Sequence, residues 1–476
     1  MKNLTQQLDK YFFWVLMFLA VFIPLYPKFP LFNIPLTYVA VRLEDLIIAT
    51  VVSIWLFTHI FNYKNYLNQT IYKSFILFWI IGGLSLISAL LITYSISPHL
   101  GLLHWLRRIE YMSLFIIAAT TITKTWQVKV SLAVIFTTAI LVAMYGFGQI
   151  LFDFPVISTT NKEFSKGLVL FLTNGARVNS TFAGHYDLAA YLSIILVLIA
   201  TLFFYYKNLL HKFLLIALGA VCFVLLGLTA ARISFFATFL GIAATFLLGG
   251  KKWLLVGLIG ASLLLVVAIP DLRHRLVATI TVNIMGGGGA KYTPPPDKVT
   301  IFTPKKAVPS IDGSGQVATS QATESGAVAV DTVPGEPINT TELGVYRSWG
   351  IRFDVEWPRA WAAFLKNPFL GTGYSSLTIA TDSDYLRSLG EVGILGTLAL
   401  ILIFIIIIKK MIIFLRGNTN FEKYFIIGGL GTVLVILTSG LFIDVLEASK
   451  VAEMFWLILG VAWAAMFLRS SEDRKL

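Results

Sequence analysis

About twelve apolar runs, each roughly 17–25 residues long, constrain this chain more than any other feature it has. They are Tyr11–Pro27, Pro35–Phe61, Ser74–Tyr94, Ile109–Thr123, Val128–Phe152, Asp187–Tyr206, Phe213–Ala230, Ile233–Leu248, Trp253–Pro270, Leu389–Ile408, Phe425–Ile443 and Val451–Phe467. A run of that length crosses the hydrocarbon of a bilayer. Inside it every backbone N–H and C=O must find a partner in the same segment, which only a helix provides. The expected fold class is therefore an all-α membrane protein of about twelve transmembrane helices. Composition agrees: 57% of the residues are hydrophobic and only 13% charged, where soluble domains carry about a quarter charged.

Lysine and arginine placement sets the expected orientation. Alternate connections hold seventeen of them, from Lys2 and Lys10 to Arg474 and Lys475; the opposite short connections hold nine. The positive-inside rule then puts both termini in the cytoplasm. The net charge of +12 follows from this topology, and no motif points to nucleic acid. Tyr11–Pro27 has no small-residue cleavage site and reads as a retained first span. Cys222 is the one cysteine; within an apolar run it reads as a small core residue.

The spans divide the chain into helices one to nine (1–270), a large extracytoplasmic loop between spans nine and ten (271–388), and helices ten to twelve with a cytoplasmic tail (389–476). Within the loop, 286–341 is rich in Gly, Pro, Ser, Thr and Ala. It has too few large apolar groups to build a core, so disorder is expected and the segment is left out of any site. Amphipathic order resumes over 343–380. Trp349, Phe353, Trp357 and Trp361 recur every four residues, and Arg352, Glu356 and Arg359 recur beside them at ion-pair spacing. Pro358 suits the start of a helix.

Ionisable residues collect at one side of the expected membrane, where they mark function. Arg352, Asp382 and Asp384 lie just before the tenth span. Arg177 and His185 precede or open the sixth, with Asp187 in its first turn, and Arg232 sits in a very short turn between two spans. An arginine held at a helix mouth needs an anion, either a lipid phosphate or a substrate diphosphate. Asp382 or Ser383 suits a helix cap, and Asp384 a first-turn position. Arg107, Arg108 and Glu110 open another helix, where they read as interfacial anchors or a minor head-group contact. NPFLGTGYSS lacks the Lys-Ser/Thr of a phosphate-binding P-loop.

Four motifs in this order, RVNSTFAGHYDLAAYL, LTAARISFFA, the Arg-Trp segment leading to NPFLGTG, and DSDYLRSLGEVGILG, make the chain resemble the O-antigen ligase and O-antigen polymerase superfamily of bacterial membrane glycosyltransferases. The resemblance covers most of the chain. It implies transfer of a glycan from undecaprenyl diphosphate to an acceptor hydroxyl, on a glycan or lipid-linked acceptor, at the outer face of the cytoplasmic membrane. By motif position Arg177, Arg232 and Arg352 match the family's diphosphate-binding arginines, and no cofactor or metal is implied. Family ligases carry His-Asn where this chain has Asp382-Ser383. Asp382 then stands where the candidate base is expected, with Asp384 in reserve and His185 as another source of a base. Two other readings stand beside this one: an Asp382–Asp384 pair holding a divalent metal, and a flippase or exporter of lipid-linked glycans.

Overall fold

The computed structural model describes residues 2–27, 29–33, 40–59, 68–156, 170–172, 176–284, 348–377, 381–416 and 420–468. The low-complexity segment 286–341 lies outside these, as do 343–347 and 378–380 of the part expected to be ordered. The described chain is helical except for a small antiparallel pair, β1 (Pro30–Asn33) with β2 (Ala40–Arg42), and one isolated bridge between Val156 and Leu170. The pair was not expected; it joins the first two helices, α1 (Lys2–Leu25) and α2 (Leu43–His59).

The helices that follow are α3 (Thr70–Ser88, extended by a π-turn to Thr93), α4 (Pro98–Thr121), α5 (Thr125–Leu151), α6 (His185–Tyr205), α7 (Leu209–Leu228), α8 (Arg232–Leu248) and α9 (Leu254–Ala268). After them come α10 (Pro270–Ala278), α11 (Trp357–Lys366), α12 (Asp384–Leu415), α13 (Phe421–Ser439) and α14 (Ser449–Ala465). Seven of these are long and apolar enough to cross a membrane, and eight if α9 and α10, bent by 100° at their junction, count as one span. The chain is thus a multi-pass membrane protein by helix length and hydropathy. The expectation of about twelve spans exceeds this number for physical reasons. α2, α8 and α14 are 17 residues each, and α4 carries Arg107, Arg108 and Glu110 along its length.

α14 sits at the centre. It is apolar nearly all round, and all of its residues are buried, as expected of a helix surrounded by other helices. It packs on α4, while α13 packs on α6 and α8, and α12 on α3 and α11. A Cβ at Gly460 would lie 2.5 Å from the Phe115 carbonyl oxygen, so only glycine lets α14 and α4 approach this closely. Lys450, 1% exposed, donates from Nζ to the carbonyls of Pro24 (3.1 Å) and Thr181 (2.7 Å). It ties the start of α14 to the end of α1 and to the segment that precedes α6.

α12 is broken at Gly393, whose φ is +63°. The backbone groups freed at the break are met by the NPFLGTG segment. Thr372 N donates to Gly390 O (2.9 Å), Gly373 N to Glu391 O (2.8 Å) and Ile394 N to Pro368 O (2.8 Å). The glycine-rich turn is therefore the partner of a broken membrane helix, the setting in which lipid tolerates irregular backbone.

Candidate functional site

Arg177 lies in the segment before α6, which is held by side chain to backbone bonds. Ser180 Oγ donates to Val142 O (2.6 Å), Thr181 Oγ1 to Pro24 O (2.7 Å), and Gln149 Oε1 accepts from Ser180 N (2.8 Å). Ser180 has φ +51°. These hydroxyls link the turn to α5 and α1. Arg177 Nη1 donates to His185 Nε2. Guanidinium has no lone pair to give, so that nitrogen is the acceptor of a neutral ring. Its basic lone pair is already used by Arg177, which weakens His185 as a base.

Arg232 is the first residue of α8, after a tight turn in which Ala230 has φ +49°. The bend between α9 and α10 brings Thr279 back to it: Arg232 Nη1 donates to Thr279 Oγ1, and Thr279 Oγ1 donates to Arg275 O at 2.6 Å. Arg232 pairs with no carboxylate among the described residues. It lies in the electrostatic field of Arg275, Arg352 and Arg177. Arg177 and Arg352, marked with Arg232 in the sequence, and Arg275, a fourth that sequence reading passed over, therefore lie within electrostatic reach of Arg232.

Arg352 and Glu356 come from a π-turn, Ile351–Glu356, that leads into α11; Pro358 falls in the first turn of that helix as expected. The aromatic stripe is present: Trp349 stacks on Phe353 (4.5 Å between centroids), Phe353 meets Trp357 (4.3 Å), and Trp357 meets Phe442 (5.8 Å). The ion pairing expected within Arg352, Glu356 and Arg359 is not what Arg352 does. Its guanidinium, in a residue 8% exposed, reaches Asp382 Oδ2 at 2.7 Å through Nη2 and donates to Ser348 O at 3.0 Å through Nη1. The π-turn, one residue wider than an α-turn, presents Arg352 to the segment before α12 instead.

Asp382 has φ +50° and does not cap α12; Ser383 does, accepting from Leu386 N at 3.5 Å. What holds Asp382 in place is Asp444, from the connection between α13 and α14. Its carboxylate accepts from Thr381 N (2.8 Å), Asp382 N (3.1 Å) and Ser383 N (3.0 Å), and from Arg387 Nη2 (2.9 Å). Asp384 turns the other way and accepts from Leu446 N through both oxygens at 3.2 Å. Asp382 and Asp384 thus have different partners. Beyond them Arg387 Nη1 meets Glu391 Oε1 (3.2 Å), and Arg108 bonds Glu447 and the Leu446 carbonyl.

Burial, helped by the Asp444 charge, holds the Asp382 carboxyl above its ordinary range, and Arg352 offsets only part of that rise. Burial, reinforced by the Asp382 charge, pushes Glu356 up to about 7. Burial also opposes the charge of Glu447, but Arg108 and Arg387 outweigh it and hold that carboxyl below its ordinary value. Beside Asp384 an apolar cavity of about 240 Å³ runs between α12 and α13, lined by Leu400, Phe404, Ile408, Ile436 and Leu437.

Arg177, Arg275 and Arg352 thus lie within electrostatic reach of Arg232, and Asp382 meets Arg352. Asp444, Glu447, Arg387 and Arg275 are the site residues that sequence reasoning missed. No family model matches this chain, and no curated protein sequence is similar to it at a significant level.

Proposed function

We propose that the protein is a glycosyltransferase of the O-antigen ligase or polymerase kind. It would move a glycan from undecaprenyl diphosphate to an acceptor hydroxyl at the outer face of the cytoplasmic membrane, in the synthesis of cell-surface polysaccharide. The observation that supports this reading is that Arg177, Arg275 and Arg352 lie within electrostatic reach of Arg232, with Arg352 against Asp382 and near Glu356. Like charges held together at low dielectric repel one another, and a diphosphate is a ligand that reverses that cost. As the glycosidic bond breaks, negative charge gathers on the leaving diphosphate. Guanidinium groups fixed beforehand stabilise that charge in the transition state more than in the ground state. The apolar cavity between α12 and α13 has the lining an isoprenoid chain requires.

Binding of polyprenyl-diphosphate glycan to the protein in nanodiscs tests this directly. Arg232→Ala, which removes a guanidinium that has no carboxylate partner among the described residues, should weaken binding about tenfold or more, since a charge-assisted hydrogen bond is worth about 1.5–3 kcal/mol. Equal affinity of wild type and Arg232→Ala would count against the arginine site.

A further inference from the structure

Two carboxylates lie beside Arg352, and their situations differ. Asp382 is in direct contact with the guanidinium at 2.7 Å. Its lone pairs face a permanent cation, and its backbone is held by Asp444. Glu356 is on the same π-turn as Arg352, four residues on, yet it makes no ion pair among the described residues. Its Oε2 is enclosed and accepts no hydrogen bond from the described residues. A buried carboxylate oxygen with no donor is costly to keep unless something comes to it.

We propose, on the footing of the glycosyl transfer described above, that Glu356 is the catalytic base, taking the proton of the acceptor hydroxyl at Oε2. Asp382 then has another part: it orients Arg352 and limits the net positive charge beside the sugar. In the transfer step the acceptor O–H proton passes to Glu356. The hydroxyl oxygen's electron pair forms the new bond to the anomeric carbon. The anomeric carbon–oxygen bond to the diphosphate breaks, and its electron pair leaves with the lipid diphosphate among the arginines. Glu356 afterwards releases its proton to water.

The groups around Glu356 suit this role. Arg352 and Arg359 come from its own segment, Asp382 from the turn before α12, and Asp444 from the α13–α14 connection. Two negative and two positive neighbours leave its affinity for a proton to be set chiefly by burial. The result is about 7, near the operating pH at which a base is most effective. Trp357, next in sequence, packs on Phe442 of the α13–α14 connection. Neither Asp384, bonded to Leu446 N, nor His185, bonded to Arg177, offers a comparably free lone pair.

The test is the pH dependence of glycan transfer from a polyprenyl-diphosphate oligosaccharide in nanodiscs, with donor binding measured on the same samples. Wild type should gain activity as pH rises through about 7. Glu356→Gln should bind donor as wild type does, lose about 10²–10⁴-fold in rate, the usual worth of a positioned base, and lose the rising limb. Glu356→Asp should recover part of the rate and show the limb again. Asp382→Asn should keep the limb while losing rate. Turnover of Glu356→Gln within a few-fold of wild type would overturn the proposal. So would a limb that survives in Glu356→Gln and disappears in Asp382→Asn, which would make Asp382 the base. Failure of the underlying function is seen separately, as wild-type protein that neither binds nor uses the donor.

Discussion

Asp444→Asn tests how the site is held. The substitution keeps shape and size but exchanges one carboxylate oxygen for an amide nitrogen and removes the charge. In the better of its two orientations the retained oxygen sits where Oδ2 was, still accepting from Thr381 N, Asp382 N and Arg387 Nη2. The amide nitrogen then faces Ser383 N, which now donates at 3.0 Å to Oδ1. One bond becomes a donor–donor contact, costing about 1–3 kcal/mol, and the two bonds from Thr381 N and Asp382 N become neutral ones at about 1 kcal/mol each, while Arg387, still charged, keeps its bond to the retained oxygen. The total of roughly 3–5 kcal/mol matches the cost of breaking a buried ion pair. It should appear locally as faster hydrogen exchange of the amides of Thr381, Asp382 and Ser383, by roughly 10²–10³-fold if they exchange through local opening. Transfer should fall by about 10²-fold, because a small misplacement at the reacting centre suffices for that. The protein should still insert in the membrane and bind donor through Arg177 and Arg232. Unchanged exchange at the three amides with normal transfer would refute the assignment of Asp444 as the group that positions Asp382.

Three further outcomes follow from the same geometry. Gly393→Ala should destabilise the protein by at least about 2–3 kcal/mol, because φ +63° with ψ −170° is open almost only to glycine and the new Cβ would lie 2.4 Å from Phe369 O; thermal unfolding in detergent reads this. Folded Glu356 keeps its proton up to about pH 7 where the free side chain loses it near 4.5, so its contribution makes stability fall as pH rises through that window. Denaturant midpoints at both ends of the window should therefore differ less in Glu356→Gln than in wild type. Transfer should continue in the presence of a chelator, since the arginines supply the positive charge a metal would otherwise bring; activity lost in chelator and restored by Mg²⁺ or Mn²⁺ would favour an acidic-pair mechanism.

The membrane character of the chain was legible because hydrophobic length is a local property, carried by each run separately. So were the start of α11 near Pro358 and a cap at Asp382 or Ser383, of which the structure uses Ser383; both depend on residues within one turn. The number of spans was less legible. Packing buries 17-residue helices such as α14 in the centre, where hydropathy alone does not distinguish a core helix from a full span. Arg352 was read as a neighbour of Glu356 and Arg359 on one α-helical face; the π-turn shifts that face and gives Arg352 to Asp382. Asp444 and Glu447 were missed because they are about sixty residues beyond Asp382 in a short connection, and only the approach of α12 to α13 brings them together. Arg275 was hidden by the bend after Ala268, which turns what read as the start of a long loop back onto the mouth of α8.

Reconstitution with a polyprenyl-diphosphate-linked oligosaccharide and a hydroxyl acceptor, followed by mass analysis of the glycan, tests the central claim most directly. The account predicts a longer glycan, or glycan on a new acceptor, with release of polyprenyl diphosphate in equal amount. Donor glycan carried across the bilayer with its diphosphate bond intact would contradict it and make the protein a transporter.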